Sequence, residues 1–253
     1  MKEKTGTREW SEHSSNCMIG KCSNACRYCY AEEWYKRWRK PFPDPEIFND
    51  KAMGRVVRKQ GVVMFPTRHD ITPSNFQYTM PHIMALLKKG NKVLVVTKPS
   101  FKCIPPLLAV VADYKAQLEF RFTIGTDQAE HMKFWEPNAP SLKERMRCLT
   151  LAHYSGFRVS VSAEPLLTPW SARDLYDMVA PYIETIWIGK LNNADSRVKV
   201  DRNDHNLNTH LDLLEAFQSD ASVKKIAVNL TGCLKVRWKD SYKKVLGTEG
   251  PTL

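Results

Sequence analysis

Short apolar runs alternate with helical periodicity through most of the chain. VVMF (62–65), KVLVVT (92–97), LEFRFTI (118–124), residues 157–163 and ETIWI (184–188) are of strand length and rich in β-branched and aromatic residues. Residues 81–89, 105–115, 141–155, 171–179 and 207–219 read as helices between or after them, and a helix is expected to begin near Ala31. Gly90 and Gly156 stand where two of these helices should close. Ser141 and Glu144 have the spacing of a capping box at the head of 141–155. A short last strand is expected at 225–229. There is no repeat and no low-complexity linker.

Such alternation implies an α/β fold, a parallel sheet covered by helices. A closed barrel and an open doubly wound sheet both fit. In either, ligands bind at the carboxyl ends of the strands. The residues just after each strand are Arg68, His69 and Asp70 in PTRHD (66–70), then Lys98, Asp127, Glu164 and Lys190. They are polar where the strands are not. Position alone makes Arg68, His69, Asp70, Asp127 and Lys190 candidates for reading or positioning a substrate. His69 fits a packed polar residue equally well.

Composition narrows the partners. Of 253 residues 43% are apolar, and no apolar run approaches the ~20 residues of a membrane span. The segment MKEKTGTREWSEH has no signal-like apolar stretch, so a cytoplasmic protein is expected. Lys and Arg number 38 against 27 acids, a net +11 that attracts polyanions. KRWRK (36–40) sets four cations around Trp38. Residues 223–246 carry Lys224, Lys225, Lys235, Arg237, Lys239, Lys243 and Lys244, with Asp240 the only acid and Trp238 and Tyr242 interleaved. Cations neutralise phosphates, and rings stack on exposed bases at roughly 1–3 kcal/mol each. A solvated basic tail with its rings in the core is the alternative.

The chain has seven cysteines, an odd number, and three fall in GKCSNACRYCYAEEW (20–34): Cys22, Cys26 and Cys29, spaced C-x3-C-x2-C. Without a secretion signal, such a cluster points to metal or catalysis. A structural zinc site takes four ligands, usually as two pairs. Here there is one C-x2-C and no downstream partner, with Cys17 as a possible fourth ligand. Three thiolates on one loop suit a [4Fe–4S] cluster with one iron left open. Cys148, inside a helix, reads as a small buried hydrophobe.

Cys22, Cys26, Tyr28 and Cys29 together give C-x3-C-x-aromatic-C, and on it the chain is identified as a member of the radical S-adenosylmethionine (SAM) superfamily. That resemblance implies a partial (β/α)6 barrel of the TIM type. Cys22, Cys26 and Cys29 would hold three irons, SAM would bind the fourth, and Tyr28 would lie near its adenine. Reduction would then cleave SAM to methionine and a 5′-deoxyadenosyl radical, the hard chemistry belonging to the cofactor. An electron donor such as flavodoxin or ferredoxin is implied. Residues 17–170 also resemble spore photoproduct lyase, through TRHDI (67–71), VTK (96–98), FRFTI (120–124), FWEP (134–137) and the strand ending at Glu164. CYAE (29–32) and AEPLL (163–167) are similar to phage-encoded radical SAM proteins, which would place the chain in a host cytoplasm. By this resemblance Tyr30, Lys98 and Thr123 would contact SAM, with Glu164 among the cofactor-binding positions.

The lyases carry a hydrogen-donating cysteine at the end of the second strand. Here that region is FPTRHD (65–70), without cysteine, so photoproduct repair is not the leading expectation. The expected activity is radical rearrangement or modification of a DNA base or nucleotide, for example a phage thymine hypermodification in which an amino-acid adduct is isomerised. A base inside a duplex would have to be flipped out. The alternatives are a photoproduct repair lyase, a radical SAM enzyme acting on a peptide or small metabolite, and a metal-stabilised nucleic-acid-binding module without catalysis. Residues 1–220 are expected to form the barrel, with the cluster loop at 17–30. Residues 221–253 are expected to be a basic extension packed on it.

Overall fold

Leu118-Glu-Phe-Arg-Phe-Thr123 alternates, and the two faces of that strand go to different places. Phe120 and Phe122 are fully buried under helices, each stabilising the fold by about 1.5–3 kcal/mol. Glu119, Arg121 and Thr123 face the other way, where Arg121 reaches Glu119 at 2.9 Å and Ser160 of the next strand at 2.9 Å. One side of the sheet is therefore an apolar core and the other a polar, concave interior.

The computed structural model of the protein describes residues 6–198 and 203–248. Its strands are β1 (His13–Ser14), β2 (Met18–Ile19), β3 (Ile47–Phe48), β4 (Val62–Phe65), β5 (Lys92–Thr97), β6 (Leu118–Thr123), β7 (Arg158–Ala163), β8 (Thr185–Ile188) and β9 (Val236–Trp238). Its helices are α1 (Tyr30–Arg37), α2 (Phe76–Lys88), α3 (Ile104–Val110), α4 (Ala129–Trp135), α5 (Leu142–Tyr154), α6 (Ala172–Val179), α7 (Ala194–Arg197), α8 (His205–Phe217), α9 (Asp220–Asn229) and α10 (Asp240–Leu246). Seven strands form one parallel sheet in the order β1-β4-β5-β6-β7-β8-β9. Strands β2 and β3 make a small antiparallel pair beside it. The α/β class with a parallel central sheet is as the alternation implied. β1 and β9 are the two edges, so the sheet is open on one side.

Several elements differ from expectation. Residues 225–229 lie inside helix α9, not a strand; the strand is β9, and it pairs with β8 through Ile186 and Val236. The local signal at 225–229 was a short apolar run, which suits a buried helix face as well as a strand, and Val223 and Ile226 are that face. Strand β9 thus places part of the segment beyond residue 220 in the main sheet. Helix α2 begins five residues before Pro81 and tolerates the proline in its second turn. Residues 105–115 divide into α3 and a 3₁₀ turn at Ala112–Gln117. Ser141 caps α5, accepting from the Glu144 amide at 3.3 Å. The Glu144 carboxylate does not return the bond; it accepts from Ser100 Oγ and the Phe101 amide in the loop after β5.

Among the described residues no helix is long and apolar enough to cross a membrane. Trp238 and Tyr242 stack on each other and are 1% exposed, and Lys239 is wholly buried. These rings are core, which removes them as base-stacking groups.

Candidate active site

At the carboxyl ends of the strands lies a cavity of about 860 Å³. Met64 of β4, Val96 of β5, Thr123 of β6 and Ser162 of β7 contribute its floor. Arg68, His69, Asp70, Lys98, Glu164, Lys190, Tyr28, Tyr30 and the three cysteines also line it. Eight Lys or Arg side chains face three carboxylates there.

The loop from Cys22 to Cys29 runs between β2 and α1. Its entry is fixed by Gly20 at φ +107°, a conformation that favours glycine, and a Cβ there would strike the Pro43 carbonyl. The Lys21 amide bonds the same carbonyl at 2.8 Å. Its exit is the start of α1, where Cys29 is the N-cap residue. The three thiols are free. Burial pushes Cys22 up to about 12, and burial also raises Cys26 well above its usual value, although the Lys98 ammonium opposes it. A thiolate at either position needs a positive partner. Among the described residues no three His, Cys, Asp or Glu side chains are grouped to hold a single metal ion.

Behind the loop is a buried chain of charges. Asp70 accepts from the Lys98 amide at 2.6 Å, Thr97 Oγ1 at 3.1 Å and Asn24 Nδ2 at 2.9 Å, and Lys98 Nζ lies 3.3 Å away. Burial favours the neutral Asp70 carboxyl, but Lys98 and these donors outweigh it and hold the group below its ordinary value. Burial likewise disfavours the Lys98 ammonium, yet Asp70 and the neighbouring Cys26 hold it well above its usual value. Lys98 Nζ sits 5.7 Å over the Tyr28 ring. The Tyr28 hydroxyl donates to Glu136, whose other oxygen takes a bond from Arg145. Arg145 in turn donates to the carbonyls of Pro140 and Thr123 at 2.8 and 3.0 Å. Asn24, Glu136 and Arg145 were not singled out from the sequence. Glu136 lies in the FWEP stretch and Arg145 four residues after the cap serine, and neither position marks burial.

The remaining candidates divide. Asp127 does not line the cavity: it accepts from Ser171 and Thr168, tying the loop after β6 to the turn before α6. His69 bonds the Gly20 carbonyl through Nε2 at 3.1 Å, and burial lowers it to about 4, so it is neutral and fastens the cluster loop to β4. Lys190 lies 3.3 Å from Asp220, and Glu164 lies 3.5 Å from Lys239, with burial raising the Glu164 carboxyl. Tyr30, Trp34 and Arg37 present one stripe of α1 to the cavity. Arg68 stacks on Trp34, its guanidinium carbon 4.2 Å from the ring centroid.

No protein-family model matches the chain. An uncharacterized protein of Acidianus two-tailed virus, ORF301, is 26% identical over an alignment of 176 residues, with 63% of this chain and 57% of that protein covered. Among solved structures, spore photoproduct lyase complexed with dinucleoside spore photoproduct overlays with a TM-score of 0.49 at 12% identity, over 76% of this chain and 63% of that one. SuiB from Streptococcus suis bound to S-adenosylmethionine gives 0.49 at 10% identity, over 81% of this chain and 46% of that one. The chain thus spans less than two thirds of each of these proteins.

Proposed function

We propose that the protein is a radical SAM enzyme acting on a DNA base or nucleotide. The observation that carries this is the placing of Cys22, Cys26 and Cys29 on one loop that opens into the cavity at the sheet's carboxyl ends. The donor set fits a cubane cluster better than a single ion. Each cysteine of a cubane binds a different iron, so three sulfurs need not converge on one point, in keeping with the lack of a single-ion group among the described residues. Zinc, which needs four converging ligands, is the poorer fit.

Cys22, Cys26 and Cys29 would hold the cluster. Bound there, a reduced [4Fe–4S] cluster and SAM supply a carbon-centred radical for hydrogen abstraction. The chain's own residues do the rest. Tyr28, fixed by Glu136, gives a flat wall beside the cysteines. Lys98 places a cation against it, held by Asp70. Thr123, Ser162 and Glu164 line the floor, and Tyr30 and Trp34 close one side. The excess of cations suits a phosphate-bearing substrate.

The test is anaerobic incubation of the reduced, reconstituted enzyme with SAM and either DNAs of different base content or free nucleotides, followed by nucleoside digestion of the DNAs and mass analysis. A SAM-dependent mass change in one nucleoside supports the reading. Formation of 5′-deoxyadenosine with every nucleoside, free nucleotide and DNA left unaltered moves the substrate to another class, such as a peptide.

A further inference from the structure

Most cations of the cavity are already partnered. Lys98 has Asp70 at 3.3 Å, Lys190 has Asp220 at 3.3 Å, Lys21 has Asp44 at 2.9 Å, and Arg197 has Glu33 at 3.3 Å. Arg37 has Glu33 at 3.9 Å, and Arg27 donates to the Phe134 carbonyl at 2.9 Å. Among the described residues lining the cavity, Arg68 and Arg8 are the cations whose side chains meet no carboxylate or carbonyl, and Arg8 is exposed. Arg68 is half-buried, and its Nε is a buried donor with no acceptor.

The way Arg68 is held matters as much as what it lacks. Its guanidinium lies 4.2 Å from the Trp34 ring centroid and 5.8 Å from that of Tyr35. Stacking engages the flat face of the group and leaves the N–H edges free, the edges that grip an oxyanion in a fork. The backbone below is fixed too: Asn16 Oδ1 accepts from the amides of Thr67 and Arg68 at 2.9 and 3.2 Å. Arg68 is thus a pre-oriented cation at the end of β4, in the cavity wall, without its anion.

We propose that Arg68 receives a phosphate of the substrate, and that Trp34 serves as the platform holding its fork in place. This rests on the reading of the cavity as the site of a nucleotide or nucleic-acid enzyme, and it names the group that would position such a substrate. A phosphate suits an aromatic-backed guanidinium whose N–H edges meet no carboxylate. The carboxylate of SAM has the same chemistry, and the test separates the two.

The probe is a fluorescein-labelled single-stranded decamer of mixed sequence, titrated anaerobically into cluster-loaded protein over a range of salt concentrations. SAM binding is measured separately by calorimetry. For Arg68→Gln the expected result is about tenfold weaker strand binding, and a salt slope shallower by about 0.7, the loss of one phosphate contact. SAM affinity and melting temperature should hold. Arg68→Lys should keep most of the salt slope and recover only part of the affinity, because the charge remains and the fork is lost. An unchanged decamer affinity and slope in Arg68→Gln overturns the proposal while leaving the nucleic-acid reading intact. So does a tenfold loss confined to SAM. Wild-type protein with no salt-dependent affinity for the decamer or for free deoxynucleoside monophosphates overturns both together.

Discussion

Lys239 Nζ lies 2.9 Å from Glu9 Oε1, and neither side chain is more than 4% exposed. The same ammonium donates to the Gly6 carbonyl at 2.6 Å, lies 3.5 Å from Glu164 and sits 4.2 Å over the Trp10 ring. This one cation, just past edge strand β9, fastens the N-terminal segment that leads into the other edge strand, β1. Gly6, Thr7, Arg8 and Trp10 thereby become a wall of the cavity. Replacing Lys239 by Met leaves Glu9 with only Lys243 at 3.7 Å and the Asp240 amide, removes the cation beside half-buried Glu164, and should cost about 3 kcal/mol, the low end for breaking a buried pair. Adding Glu9→Gln to Lys239→Met should return part of that loss. Urea unfolding of the single and double variants checks both.

His82 makes acid a specific stress. It is buried against Phe65 and bonded to Ser15 Oγ at 2.7 Å, and burial lowers it to about 4. Above pH ~6.5 neither the folded nor the unfolded form binds the proton. Between 6.5 and 4 the unfolded chain binds it first, so stability falls as pH falls, by up to about 3 kcal/mol for the whole interval. His82→Gln should therefore lose less melting temperature between pH 7 and pH 5 than the wild type. Equal losses would show that His82 is not the group responsible.

Gly125 follows β6 where the chain crosses under the cavity. A Cβ there would stand 2.5 Å from the Pro165 carbonyl oxygen, a backbone atom that cannot swing away. Gly125→Ala should destabilise by about 1–3 kcal/mol and reshape the floor beside Glu164. Thermal melting together with SAM calorimetry would register the two effects separately.

What the chain disclosed in advance follows from physical range. Strands β4 to β8 are continuous apolar or alternating runs, a local signal, and they were legible. So were the cysteine loop and the strand-end polar residues, because topology alone sends those to one end of a parallel sheet. Position could not say which strand-end residues are free to meet a ligand. Asp127 and Arg68 occupy equivalent places after β6 and β4, yet Ser171 engages the first, while the second has only Trp34 and Tyr35 against its face. Within the basic stretch from residue 223, where Lys224, Lys225 and Lys244 are exposed, three residues mislead for a similar reason. Lys239, Trp238 and Tyr242 look like a surface patch until Glu9, more than two hundred residues away, supplies the buried partner.

Tyr28 offers a finer test of the site. Its hydroxyl donates to Glu136 and its ring backs the cysteine loop against Trp135 at 6.3 Å. Tyr28→Phe keeps the ring and leaves the buried Glu136–Arg145 pair short of one donor. A loss of about 1–3 kcal/mol is expected, with iron content of the reconstituted protein unchanged. Tyr28→Ala should in addition weaken SAM binding, which calorimetry would detect.

The central claim is that three thiols hold a cluster with one corner open to SAM. Its most direct test is anaerobic reconstitution of the wild type and the single variants Cys22→Ala, Cys26→Ala and Cys29→Ala, with iron and sulfide determined and 5′-deoxyadenosine formation followed after reduction. The wild type should bind about four irons and four sulfides and release 5′-deoxyadenosine, and each variant should lose that release. A wild type that takes up zinc in place of iron, or any one variant that still cleaves SAM at the wild-type rate, would contradict the account.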